Sequence, residues 1–142
     1  MIQVNVSDEL LESIKKNEGF RSRVYKDSLG FDTIGYGFAI KDLDLDENIS
    51  EQVLIQKLVK LLKSCHKKFP WLDEQPEEVK DVIYEMCYQL GVTGVSKFKK
   101  TLTYIKEKDY NTASVEMLDS VWALQTPARA KYLSNKIKGT VA

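Results

Sequence analysis

Apolar residues recur along this chain at two different periods. Leu10, Leu11 and Ile14 fall on one helical face, and Glu18 follows Ile14 by four residues on that same face. Ser7 is a natural cap, Asp8 and Glu9 suit the first turn, and Gly19 is a stop signal, so a helix running to Glu18 with a buried apolar stripe is predicted. Between Arg23 and Ile40 the period shortens. The stretches RVYKD and FDTIGYGFAI are rich in aromatic and β-branched residues and are separated by the turn-like DSLG, which predicts a hairpin with a third short strand after Gly37. Asp27 sits at the turn and Thr33 on the returning strand, but spacing alone leaves the hairpin register open.

From Ser50 to about Lys67 the helical period returns, with Val53, Leu54, Leu58, Leu61, Leu62 and Cys65 on one side. Pro76 can start another helix, in which Val79, Val82, Ile83, Met86 and Leu90 recur before Gly91 ends it. Two or three short helices are predicted near 96–106 and 111–121, and a last one with Thr126 as cap and Pro127 at its first position. The pattern is α+β. It predicts one domain over 1–142, with a hairpin lobe at about 17–49 and a helical body at about 1–16 and 68–142. A connecting helix is expected at about 50–67.

The chain has 142 residues, enough for one domain with a core, and its 21 basic and 21 acidic side chains balance. The distribution changes that picture: residues 1–96 hold 12 Lys/Arg against 17 Asp/Glu, and residues 97–142 hold 9 against 4. A basic C-terminal portion suits an anionic polymer, although lysine-rich solvated helix faces read the same way. The basic residues are not interleaved with aromatics in a nucleic-acid motif, and no nucleic acid is expected as a partner. Cys65 and Cys87 both fall in apolar helical patterns with no CxxC spacing, so two free buried thiols in a reducing compartment are expected. The acidic loop DLDLDEN (42–48) lacks the glycine and terminal glutamate of an EF-hand, and neither metal nor cofactor is expected. His66, the only histidine, neighbours two lysines and is expected to be exposed and inert. No signal peptide is visible and no run approaches 18 apolar residues, so the expectation is a protein made in the cytoplasm, without a membrane span.

Cleavage of a glycosidic bond needs two carboxyl groups in different surroundings, one as proton donor and one as nucleophile or activator of water. Glu18, at the end of a helix with an apolar face, and Asp27, in a polar turn, are of the correct type. Partial burial of Glu18 would hold its proton on near neutrality. By residue type alone they are one pair among the many that 21 acids offer.

A longer pattern narrows the choice. Glu18-Gly19, Tyr25-Lys26-Asp27, Gly30 and Thr33-Ile34-Gly35-Tyr36-Gly37 resemble the signature of the phage-type lysozymes, glycoside hydrolase family 24. MCYQLGVTGVSKF (86–98) resembles that family's helix and turn on the far side of the cleft, and SVWALQTPARA (120–130) its Trp-x-x-Gln-Thr-Pro-x-Arg-Ala segment. The resemblance implies a lysozyme-like fold and an endolysin that hydrolyses the β-1,4 bond between N-acetylmuramic acid and N-acetylglucosamine in bacterial peptidoglycan, with inversion. It implies Glu18 as general acid, with Asp27 and Thr33 positioning the attacking water. Arg129 would reach the catalytic glutamate, and Tyr88 and Gln89 would line the cleft, Gln89 bonding substrate. It also implies a monomer that waits in the host cytoplasm for a holin-like permeabilising partner.

The sequence departs from the family at Phe38, where relatives have a histidine, at Leu29, where one has an acid, and in a short segment after the hairpin. A lytic transglycosylase of similar fold, or a non-catalytic wall-binding protein, is the alternative; the joint presence of Glu18, Asp27 and Thr33 argues against both.

Overall fold

The computed structural model describes residues 4–141. They form seven α-helices and a three-stranded antiparallel sheet, an α+β fold as the sequence predicts. Two compact units meet in sequence between Ser50 and Glu51.

The first unit opens with α1 (Asp8–Glu18), capped by Ser7, whose Oγ accepts from the Leu10 N–H at 3.2 Å. The expected buried stripe of α1 is not found: within its own unit nothing covers Leu10, Leu11 or Ile14, and each is about half exposed. Strands β1 (Arg21–Lys26), β2 (Asp32–Gly35) and β3 (Phe38–Ala39) follow. The third strand lies where the sequence places it, and the register is now fixed. Tyr25 pairs with Thr33 and Lys26 with Asp32, while across the other edge of β2 Thr33 pairs with Ala39. Thr33 thus sits mid-sheet, on the central strand, and is buried. A short 3-10 turn, Ile40–Asp42, closes the hairpin region.

Helix α2 (Glu47–Lys68) begins three residues before the expected Ser50, because Asp46 supplies the start: its Oδ1 accepts from the Ile49 N–H at 2.8 Å. In the second unit α2 is followed by a 3-10 turn (Pro70–Glu74) and α3 (Glu77–Ser96). Gly91 ends the first helical run of α3, as expected, at φ 80° and ψ 156°, and a second run then continues to Ser96. Helices α4 (Lys99–Lys106), α5 (Tyr110–Leu118), α6 (Val121–Gln125) and α7 (Pro127–Lys138) complete the unit. The segment expected to be helical near 111–121 is α5, and Ser120 caps the following α6 through the Ala123 N–H.

The core lies in this unit. Cys65, Leu72, Val79, Ile83, Met86, Ile105, Met117, Leu133 and Ile137 are all buried. Full burial of one Leu or Ile side chain stabilises by roughly 1.5–3 kcal/mol. A polar bracket crosses the core: Tyr110 donates to Gln75 Oε1 at 2.8 Å, and Gln75 Nε2 donates to the Ile105 carbonyl at 3.1 Å. Burial pushes the Tyr110 hydroxyl above its ordinary value. Cys65 and Cys87 are free and buried, as expected. A hydrogen bond with Cys65, reinforced by burial, holds the Cys87 thiol well above the usual range.

His66 is not the exposed, idle residue the sequence suggests. Its Nε2 pairs with the Tyr84 hydroxyl, so the imidazole links α2 and α3, and Asp73 Oδ1 lies 2.7 Å from its Nδ1. Asp73 and Tyr84 are seven and eighteen residues away, which sequence spacing does not reveal. Among the described residues no helix is long and apolar enough to cross a membrane.

Candidate active site

In the first unit the hairpin is built around Asp27. Its backbone N–H donates to the Phe31 carbonyl at 2.9 Å, and its carbonyl accepts from Gly30 at 2.9 Å. Its side chain caps the same turn: Oδ1 accepts from the N–H groups of Leu29, at 2.9 Å, and Phe31, at 2.8 Å. The carboxylate is therefore held by one oxygen. Among the described residues no side chain or backbone group bonds to the other. Thr33 donates from Oγ1 to the Phe31 carbonyl at 2.9 Å. The Asp27 carboxylate and the Thr33 hydroxyl are thus tied to the N–H and the C=O of a single residue, Phe31.

Glu18 enters from the last turn of α1. Its side chain lies against the backbone of Gly37, between β2 and β3: a Cβ on Gly37 would sit 3.0 Å from Glu18 Cδ. Gly37 also has φ +76°, where side chains are strained. The glycine of the Thr-Ile-Gly-x-Gly run thus leaves room for the Glu18 carboxyl group. The partly buried setting expected for Glu18 is absent within this unit, and the residue is exposed, because the apolar face of α1 that would shelter it is itself uncovered there. Phe38 packs edge-on to Tyr36, with ring centroids 6.4 Å apart, and Tyr36 in turn packs on Phe20. Leu29 is exposed at the tip of the turn.

In the second unit Tyr88 and Arg129 line one open groove of about 780 Å³, together with Leu58, Leu62, Tyr84 and Glu85. Tyr88 is exposed. Arg129 donates from Nε to Glu85 Oε2 at 3.1 Å, an ion pair between α7 and α3 that the sequence reading missed. Glu85 belongs to no recognisable motif; only the packing of α7 on α3 brings it to Arg129. Burial raises the Tyr84 hydroxyl above its ordinary value, and the charges of Cys65, Glu77, Asp81 and Asp73 add to that.

Gln89 was expected to bond substrate. The structure gives both ends of its amide to protein partners. Its Oε1 accepts from the Trp122 indole N–H at 2.9 Å, and its Nε2 donates to Thr126 Oγ1 at 3.3 Å. Thr126, expected to cap α7, instead donates its hydroxyl to the Trp122 carbonyl at 3.1 Å. Gln89, Trp122 and Thr126 therefore form one closed set of bonds that fixes the Trp-x-x-Gln-Thr-Pro segment on α3.

Comparison with known proteins bears on this arrangement. The family model described as Phage lysozyme matches residues 15–136. A Dictyostelium discoideum protein named "Probable T4-type lysozyme 2" is 28% identical, over 85% of this chain and 88% of its own length. "Probable T4-type lysozyme 1" of the same organism is also 28% identical, over 89% of this chain and 92% of its own. The "Pre-baseplate central spike protein Gp5" of Enterobacteria phage T4 is 27% identical over 89% of this chain, which corresponds to 27% of the spike protein. The family match spans the Glu18, Asp27 and Thr33 hairpin as well as the Gln89 and Arg129 helices, and the chain belongs to the phage lysozyme family, as a glycoside hydrolase of the lysozyme type.

Proposed function

We propose that this chain hydrolyses the β-1,4 bond between N-acetylmuramic acid and N-acetylglucosamine in bacterial peptidoglycan, acting as an endolysin. Glu18 is the general acid. It protonates the leaving glycosidic oxygen. Asp27 takes a proton from the attacking water, with Thr33 helping to hold that water on the opposite face of the sugar, so the anomeric centre inverts. The observation that carries this reading is the mounting of Asp27. Two backbone N–H groups fix one carboxylate oxygen, and the second is left without a protein partner among the described residues. A group whose task is to orient water benefits from that combination of rigidity and an open acceptor.

Tyr88 and Arg129 are proposed to contact substrate, and the Glu85 carboxylate limits the orientations open to the Arg129 guanidinium. Gln89 acts at one remove, by fixing Trp122 and Thr126. Residues 1–142 work as one monomeric catalytic domain. The protein accumulates in the host cytoplasm and reaches the wall when a holin-like partner opens the membrane.

Mass spectrometry of the released fragments tests the chemistry. Hydrated reducing ends are expected from the native protein, with loss of turnover of at least about 100-fold in Glu18→Gln and in Asp27→Asn at unchanged circular dichroism. Predominant 1,6-anhydro ends would instead identify a lytic transglycosylase. Expression in a Gram-negative host tests the route. Cells are expected to stay intact until chloroform or a pore-forming protein is added, and prompt lysis without either would exclude holin dependence.

A further inference from the structure

His66 is the only histidine of the chain, and it stands in the last turn of α2. A neutral imidazole carries one N–H and one bare nitrogen, whereas the charged ring carries two N–H groups and no acceptor. Which nitrogen holds the single proton is set by what each one faces. Nδ1 lies 2.7 Å from Asp73 Oδ1. The contact is not lined up as a hydrogen bond, and Nδ1 is a buried atom without a hydrogen-bond partner among the described residues. A bare lone pair at that separation would meet a carboxylate oxygen, negative against negative. The proton of the neutral ring therefore belongs on Nδ1, and Nε2 is left as an acceptor.

Nε2 meets the Tyr84 hydroxyl. Burial, followed by nearby negative charges, raises that hydroxyl above its ordinary value, so it keeps its proton through the neutral range. With Nε2 bare, Tyr84 donates to it. A second proton on the ring has only Nε2 to go to. It makes Nε2 the donor and the Tyr84 oxygen the acceptor, so the Tyr84 O–H has to turn away from the imidazole. On its other side Tyr84 lines the open groove, together with the carboxylates of Glu77, Asp81 and Glu85. The charged groups around the pair come from three elements. Asp73 belongs to the 3-10 turn, Glu77, Lys80 and Asp81 to α3, and Lys67 and Lys68 follow His66 on α2.

We propose that His66 is a proton-operated switch in the second unit, which sets the direction of the Tyr84 hydroxyl. With the ring neutral, Nδ1 carries the proton and Tyr84 donates to Nε2. With the ring charged, Nε2 donates to Tyr84 and the tyrosine O–H turns to the groove. One proton, taken up at Nε2, is the whole change in composition. The switch rests on the placing of Asp73, His66 and Tyr84, and does not depend on the reaction assigned to Glu18, Asp27 and Thr33.

The test is nuclear magnetic resonance of the full chain, labelled with nitrogen-15 and carbon-13, from about pH 8 to about pH 5, the range in which histidine changes charge. A single histidine makes the ring nitrogen signals unambiguous. At the alkaline end Nδ1 is expected to be protonated and Nε2 bare. On acidification Nε2 should gain its proton, and the Tyr84 ring signals, assigned by their absence from Tyr84→Phe, should shift with the same midpoint. A neutral ring protonated on Nε2 would overturn the proposal, as would Tyr84 signals that stay still while His66 titrates. Both readings are made on the unaltered chain and need no variant to fold. In His66→Gln, which cannot titrate, the Tyr84 signals should not move over this range. A shift of the native size there would assign the response to another group and overturn the switch.

Discussion

The two units of this protein are held together by different means. Among the described residues, no hydrophobic side chain before Cys65 is buried, and Thr33 is the one buried polar residue of the first unit. That unit rests on backbone pairing, the Asp27 turn and the Ser7 cap. The second unit holds the whole buried apolar cluster, laced by the Gln75 and Gln89 bonds. In the first unit, backbone hydrogen bonds fix the Asp27 carboxylate in a surface turn. In the second, close packing sets the positions of side chains, and polar groups inside it are bonded. Stability and candidate chemistry are therefore concentrated in different stretches of sequence, and substitutions should separate them.

The sharpest way to break the comparison is to cut the core and the turn alike. Leu133→Ala is expected to destabilise by about 2–5 kcal/mol in denaturant unfolding, since it leaves a cavity in a fully buried site. Leu29→Ala, at an exposed turn tip, should stay within about 0.5 kcal/mol. Similar losses from the two would show that the units are not differently built. Gly37→Ala comes next and should act on turnover. Its methyl group meets the Glu18 carboxyl group and displaces it, at an expected loss of about 100-fold in kcat, the scale of an ångström-level misplacement. Near-native kcat would mean that Glu18 does not need this seat.

Gln89→Leu should cost about 1–3 kcal/mol, because the Trp122 indole N–H loses its acceptor. If the closed set of bonds also serves the site, kcat should fall as well. The smallest effect is alkaline. The raised value of Tyr110 means that the folded state keeps a proton which the unfolded chain releases. Its stabilising contribution is complete below the unfolded tyrosine value of about 10 and is lost as pH rises from there through the higher folded value. Unfolding free energy should therefore decline above about pH 10. Tyr110→Phe should lower stability at neutral pH by about 1 kcal/mol and flatten that decline. An equally steep decline in the variant would assign the loss to other groups, Tyr84 first among them.

Much of this architecture is legible in the chain itself, because its signals are local. The Ser7 cap, the turn at Asp27, the short strand after Gly37 and the apolar period of α3 each depend on residues within a few positions of one another. The Glu18, Asp27 and Thr33 motif is equally local, and so is the family resemblance that gave it meaning. Other features depend on side chains far apart in sequence. Arg129 meets Glu85 across 44 residues, Gln89 joins Trp122 across 33, and His66 reaches Tyr84 across 18. No period or cap encodes such partners; the packing of α7 and α6 against their neighbours, and of α2 near α3, selects them. The sequence by itself determined which elements form and which carboxylates stand at the turn and the helix end. Only the tertiary structure decided that Gln89 bonds the Trp122 indole and that His66 is a link between helices, because each of these depends on which surface a neighbouring helix covers.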